Sequence, residues 1–154
     1  MIYEELLTDA DQEGVDVIYH NFNSDRIKGL YCDGTIALSD NIPTTAGKSC
    51  ILAEELGHYH TSYGDIINQD FTSNRKQEYR ARLWSYNKLI GLSGIVSAYK
   101  VGCRNAHEVA EHLEVTEEFL TEALSCYRSK YGICTKLDNY VIYFEPYISV
   151  LELI

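Results

Sequence analysis

The most informative segment of this chain is residues 51–59, in its first half. It reads Ile51-Leu52-Ala53-Glu54-Glu55-Leu56-Gly57-His58-Tyr59. Residues four apart on a helix share one face, so Glu54 and His58 present a carboxylate and an imidazole that can hold a single ion. Glu55 lies about 100° further round the helix, where its carboxylate can reach a water molecule beside that ion. The segment therefore predicts a helix with a metal-binding face.

The other side of this helix is apolar. Leucine and tyrosine recur along it at helical spacing, as Leu52, Leu56, Tyr59 and Tyr63. Such a stripe is typical of a helix that buries one face in the core. Gly57, beside the polar face, leaves room for a ligand or a neighbouring helix. Taken alone, this spacing is common by accident and better suits a solvated acidic face and an ordinary histidine at the core boundary.

Upstream of this helix, the sequence predicts a short helix and three strands. Residues 2–11 suit a helix that ends at Gly14. Residues 15–19, 29–32 and 35–39 are β-branched or aromatic runs, and the last two flank Asp33-Gly34, a favoured two-residue hairpin turn. The expected result is a small antiparallel sheet. Its last strand could accept a substrate segment if it lies at an edge.

Two long helices are predicted in the middle of the chain. Pro43 and Thr44-Thr45 can begin the first, which should run to about Tyr63 and stop at Gly64. The second should run from Ser73 or Asn74 to about Ile90, near Gly91.

Glu78, on the second of these helices, is a sensible third ligand. It shares a face with Ala81, Arg82 and Ser85, and the small residues would let the two helices approach closely. The alternative for Glu78 is a surface salt bridge to Arg75 or Arg82. Asp65 and His60 are competing ligand candidates, although His60 points away from His58 on a continuous helix.

The region after residue 95 has the pattern of a helix, a turn and a second helix. Asn105 can cap the first helix, to Leu113, and Thr116 the second, to about Tyr131. Six glutamates crowd this helix-turn-helix-like unit, and neither lysine nor arginine occurs between them, so it suits protein packing or docking better than DNA reading. The tail, residues 140–154, is apolar and prone to form strands.

Composition narrows the class of protein. The chain has 154 residues and a formal net charge of −10, which argues against direct nucleic-acid binding. No run is long and apolar enough for a membrane span, and the start does not resemble a signal peptide, so a cytoplasmic location is expected. Five scattered cysteines without a C-x-x-C pair suggest reduced, mostly buried thiols.

The run at 51–59 resembles the active-site helix of the ImmA/IrrE family of metallopeptidases, which is widespread in phages and integrative elements. The family motif is H-E-L-G-H after a short apolar stretch. This chain matches it from Glu55 to His58 and has Glu54 in place of the first histidine. Residues 34–38 resemble the preceding strand, and residues 78–85 the second helix, whose glutamate supplies the third ligand. The resemblance covers roughly residues 15–95, and more loosely the remainder of the chain.

The resemblance implies an α+β fold, with the sheet packed on a metal-binding active-site helix and a helical C-terminal region. It places a metallopeptidase-like core at 1–95, with residues 96–154 packed on it as one domain. The implied ligands are Glu54, His58 and Glu78, and the metal is zinc, or a harder ion such as manganese because of the extra carboxylate. Glu55 would act as general base in metal-assisted peptide hydrolysis.

Members of this family in mobile elements commonly relieve repression by cleaving a helix-turn-helix repressor encoded nearby. The resemblance thus implies such a repressor as the protein substrate, and the acidic surface would complement a basic partner. The alternative is a non-catalytic antirepressor or sensor that binds the repressor through the same fold, with Glu54 marking a weakened metal site.

Overall fold

The computed structural model describes residues 1–61 and 71–154, with side chains for 1–61 and 74–154. The described elements follow in this order: α1 (Ile2–Gln12), β1 (Asp16–His20), β2 (Gly29–Cys32), β3 (Thr35–Ser39), α2 (Thr45–Thr61), α3 (Phe71–Leu89), α4 (Gly91–Lys100), α5 (Ala106–Leu113), α6 (Glu117–Tyr131), β4 (Cys134–Leu137), β5 (Tyr140–Tyr143) and β6 (Ser149–Glu152). The predicted α+β class is confirmed. None of the described helices has the length and apolar character needed to cross a membrane.

The chain divides into two compact units, residues 1–85 and 86–154. Helix α3 begins in the first unit and ends in the second. All four predicted site residues belong to the first unit. The packing of residues 96–154 on the core as one domain stays a prediction.

The sheet of the first unit has the strand order β1-β3-β2. β2 and β3 form the predicted hairpin through Asp33-Gly34, both with positive φ, as a two-residue turn of this type requires. β1 pairs with β3 in parallel, so the sheet is mixed rather than purely antiparallel. The reason is that the chain crosses to the far edge to form β2 and returns through the hairpin into the centre. The suggestion that β3 could accept a substrate strand as an edge is therefore wrong, because β1 and β2 are the edges.

Helix α2 packs against β2 and β3, and α1 packs against α2 and β1. The hydroxyl of Thr44 accepts a hydrogen bond from the backbone N–H of Gly47 at 3.0 Å, which confirms the predicted start. Of the predicted apolar stripe, Leu52 and Leu56 are fully or almost fully buried, whereas Tyr59 is only partly buried. The predicted end near Tyr63 and Gly64 lies outside the described residues.

In the second unit, helix α4 was missed by sequence analysis. Its glycines lower helix propensity, but each has a structural role. Gly91 begins the helix with φ +61, and its N–H donates to the hydroxyl of the fully buried Tyr127 at 3.2 Å. Gly94 lies against Leu113, where a β-carbon would come within 3.3 Å of the leucine side chain. Tertiary contacts thus outweigh the local preference.

Helices α5 and α6 confirm the predicted helix-turn-helix-like unit. The side chain of Asn105 accepts from Glu108 N–H at 2.9 Å, and that of Thr116 accepts from Phe119 N–H at 3.1 Å. The tail forms an antiparallel sheet in the order β4-β5-β6, in which β4 was not predicted. The five cysteines are free, but only Cys50 is buried, so the expectation of mostly buried thiols is wrong.

Candidate active site

A cleft of about 810 Å³ lies beside α2 in the first unit. Its lining consists of residues 26–31, the α2 side chains Ile51, Glu54, Glu55 and His58, and the α3 side chains Asn74, Gln77, Glu78 and Arg82. On each helix these positions recur at three- and four-residue spacing, which defines one helix face. The cleft therefore brings together all four residues that the sequence singled out, Glu54, Glu55, His58 and Glu78.

Glu55 is largely withdrawn from solvent within this cleft. Burial raises the pKa of its carboxyl group to about 7, and the neighbouring carboxylates of Glu54 and Glu78 contribute to the rise. A hydrogen bond from the backbone N–H of Tyr31 opposes the rise in pKa. Glu55 is thus held by strand β2 and lies close to two other acidic groups.

His58 and Glu78 lie together although they belong to different helices. The distance between His58 Nε2 and Glu78 Oε1 is 3.5 Å, with the imidazole 24% exposed and the carboxylate 54% exposed. The alternative expected for Glu78, a salt bridge to Arg75 or Arg82, is not among the ion pairs in the described part of the chain. Glu78 instead faces the histidine that the sequence predicted as its fellow ligand.

The close approach of α2 and α3 explains how these two side chains meet. A β-carbon on Gly57 would collide with the carbonyl oxygen of Ala81 and lie 3.2 Å from its Cα. Ala81 and Ser85 are completely buried on this side of α3. The predicted role of the small residues, to bring the two helices together, is confirmed.

A divalent ion suits the chemistry of this donor set. Among the described residues, no three His, Cys, Asp or Glu side chains are gathered as a ready-made metal site. Two of the predicted donor atoms, His58 Nε2 and Glu78 Oε1, nevertheless lie at a suitable distance of 3.5 Å. Ligand atoms on a tetrahedral zinc with bonds of about 2.0–2.1 Å lie about 3.3 Å apart. Glu54 lines the same cleft. The arrangement thus fits a divalent ion through His58 and Glu78, while the roles of all four residues stay predictions.

His60, a competing ligand candidate, does not line the cleft. His60 forms an ion pair with Glu13, with 3.0 Å between Nε2 and Oε2, and its ring stacks on Trp84. These contacts tie α1, α2 and α3 together, so His60 has a structural place. Asp65 lies outside the described residues.

Strand β2 contributes a feature that sequence reasoning missed. The N–H of Ser39 donates to the carbonyl of Lys28. Because hydrogen-bonded pairs alternate along an antiparallel ladder, the backbone groups of Leu30 and Cys32 point toward β3. The backbone groups of Gly29 and Tyr31 therefore point away from β3, to the open edge. A β-carbon on Gly29 would lie 2.6 Å from Ile51 and 3.1 Å from Glu55. The glycine was the available signal, since it allows the strand to approach the helix.

The raised pKa of Glu55 predicts a pH-dependent stability in metal-free protein. Unfolded Glu55 ionises near its ordinary value of 4.5, whereas the folded protein keeps the proton to about pH 7. Between these values the folded state binds more protons, so its stability falls as pH rises. In the presence of a chelator, the free energy of unfolding of the wild type should fall between pH 5 and pH 8 by about 2 kcal/mol more than that of Glu55→Gln. Urea denaturation at each pH measures the two values. Parallel curves for the two proteins would contradict this.

The comparisons with known proteins identify the family of this chain. The model of the IrrE N-terminal-like domain, a peptidase family, matches residues 10–125. This match includes both site helices and extends through α5 into α6, a region that the resemblance seen in the sequence covers only loosely. Comparisons with curated proteins and with solved structures return no significant match. Because the family model covers most of the chain, the chain belongs to the ImmA/IrrE family of metallopeptidases.

Proposed function

We propose that this protein is a metal-dependent endopeptidase that cleaves a helix-turn-helix repressor of a phage or integrative element, in the cytoplasm. The observation that carries the proposal is the shared cleft, in which Glu55 lies beside Glu54, His58 and Glu78. A carboxylate held next to potential metal ligands is the arrangement that peptide hydrolysis by this class requires.

In this proposal His58, Glu78 and Glu54 hold zinc or manganese. The ion would supply the Lewis acidity that makes water a nucleophile at neutral pH. Glu55 takes the proton of the attacking water and gives it to the leaving nitrogen of the peptide. The hydrogen bond from Tyr31 N–H keeps the Glu55 carboxylate oriented during both transfers.

The open edge of β2 is suited to position an extended substrate. The outward N–H and C=O of Gly29 and the C=O of Tyr31 can pair with a substrate backbone by strand addition. These groups flank the N–H that holds Glu55. A segment bound along β2 would thus run past the proposed general base.

A non-catalytic antirepressor is the second candidate. It is favoured by Glu54, which replaces the usual first histidine, and by the lack of a three-donor cluster among the described residues. In that case the same fold would bind the repressor without cutting it.

The decisive experiment compares metal content and cleavage. The protein is stripped of metal with a chelator and reloaded with zinc or manganese, and its metal content is measured by elemental analysis. The helix-turn-helix repressor encoded beside it is then added, and the masses of any fragments are measured by mass spectrometry. About one metal per chain and one metal-dependent cut would support the peptidase. Repressor binding without metal or fragments would establish the antirepressor.

The two histidines of α2 give a matched test of the ligand set. His58→Ala should weaken zinc binding by at least about tenfold, because it removes the only nitrogen donor proposed. His60→Ala should leave zinc affinity unchanged, since His60 pairs with Glu13 and Trp84. Both affinities can be measured by competition with a fluorescent zinc chelator. Equal losses in the two variants would contradict the assignment.

A further inference from the structure

We propose that the cleft selects a peptide segment that carries an acidic side chain close to the scissile bond, with Arg26, Lys28 and Arg82 as the recognition groups. This inference rests on the proposed function, in that a peptide occupies the cleft. It goes further by naming the chemistry of the segment that is bound.

The distribution of charge is the first argument. The cleft lining contains three cationic side chains, Arg26, Lys28 and Arg82, and three carboxylates, those of Glu54, Glu55 and Glu78. The formal charges of these described lining residues cancel, so they contribute nothing to the net charge of −10. The cleft should therefore repel the carboxylate of a ligand less than the acidic remainder of the protein does, and a bound divalent ion would make it cationic.

The pairing of the cations is the second argument. In the described part of the chain, none of the three cationic side chains forms an ion pair with a carboxylate. Two of the three cleft carboxylates have other partners, because Glu78 faces His58 and Glu55 accepts a hydrogen bond from Tyr31 N–H. The three cationic groups are thus available to a ligand rather than paired with the carboxylates of the cleft.

Position is the third argument. Arg26 and Lys28 lie immediately before β2, whose open edge would carry the substrate backbone. Arg82 lies one helical turn after Glu78 on the same face of α3. Ile27 and Leu30, 45% and 53% exposed, add apolar surface to the same wall. A segment with carboxylate and apolar side chains in alternation would match this wall.

This selectivity is compatible with a basic partner. The acidic remainder of the protein would attract a DNA-binding surface during encounter, whereas the cleft would receive a different, acidic stretch of the same partner. Long-range attraction and local recognition then use opposite signs of charge.

The test measures binding to the Glu55→Gln protein, which should not cut its ligand. The probes are fluorescein-labelled octapeptide mixtures, acetylated and amidated, that differ only in a central Glu, Gln or Lys. Fluorescence anisotropy at low salt should show the Glu mixture binding about fivefold more tightly than the Gln mixture, and the Lys mixture more weakly than both. The preference should shrink at high salt.

The control variants lie close to the cleft. Replacing Arg26, Lys28 and Arg82 together by glutamine should remove the preference, whereas Arg80→Gln, exposed on α3 but outside the cleft lining, should keep it. Melting temperatures verify that all variants fold. A Gln mixture with a free C-terminal carboxylate distinguishes an internal acidic side chain from a chain end.

Three results would overturn the proposal: equal binding of the Glu and Gln mixtures, a preference that survives in the triple variant, or a stronger response to the chain-end carboxylate than to internal Glu. Hydrolysis by the wild type is scored separately. A charge preference without hydrolysis would refute the peptidase and leave this recognition standing, while hydrolysis without a preference would do the reverse.

Discussion

Glu55→Gln should lower kcat/KM for cleavage of the repressor by about 10²–10⁴-fold, the usual contribution of general acid–base catalysis. Glutamine retains the size of the side chain but cannot accept the proton of the attacking water. Metal content should stay close to that of the wild type, because Glu55 is not among the proposed ligands. Time courses of fragment formation, recorded at matched metal loading, measure the loss.

Stability provides the control for this variant. In metal-free protein at pH 8, Glu55→Gln should be more stable than the wild type, since it removes a carboxylate that is ionised at a cost in the buried site. Lost activity in a protein that folds at least as well can only reflect the missing base. If Glu55→Gln cut the repressor at the wild-type rate, Glu55 would not be the base.

Gly57→Ala should have the largest effect on the fold of the first unit. The added methyl group would collide with the carbonyl oxygen of Ala81, and a backbone atom in a helix cannot turn away as a side chain can. We expect a loss of roughly 3 kcal/mol. For a chain of this size, that corresponds to a melting temperature about 6–12 °C lower. The measurement is thermal unfolding by circular dichroism.

The same substitution should also weaken metal binding. Moving α3 away from α2 would separate His58 from Glu78, which now lie 3.5 Å apart. Gly94→Ala is the matched control, because its β-carbon would meet only the flexible side chain of Leu113 at 3.3 Å. That variant should change stability by less than about 1 kcal/mol. Equal losses in both variants would contradict the importance of the α2–α3 contact.

Glu54 is the position at which this chain departs from the family motif. A carboxylate in place of a neutral histidine brings the proposed ligand set to two carboxylates and one imidazole. Such a set favours harder ions and leaves a bound dication with little net charge. Metal preference measured on the wild type therefore bears directly on whether this chain cleaves its partner or only binds it.

Much of the fold could be predicted from the sequence because its signals are local. Asp33-Gly34 predicts a hairpin through backbone preferences, and Asn105 and Thr116 predict helix starts through side-chain caps. The spacing of Glu54, Glu55 and His58 placed them on one helix side through periodicity alone. Such features need only neighbours within a few residues, and the structure agrees with them.

Tertiary structure decided which distant groups meet. The parallel pairing of β1 with β3 makes β2 an edge, and this edge gives Glu55 a hydrogen-bond donor in Tyr31. Helix α4 forms despite its glycines, because Tyr127 holds its first N–H. These outcomes depend on contacts between residues that are far apart in the chain. The energies of such contacts exceed local propensities, and the contacts produce no periodic pattern in the sequence. Local sequence patterns thus identify the side chains proposed for the chemistry, whereas the packing of the sheet against the helices forms the cleft around them.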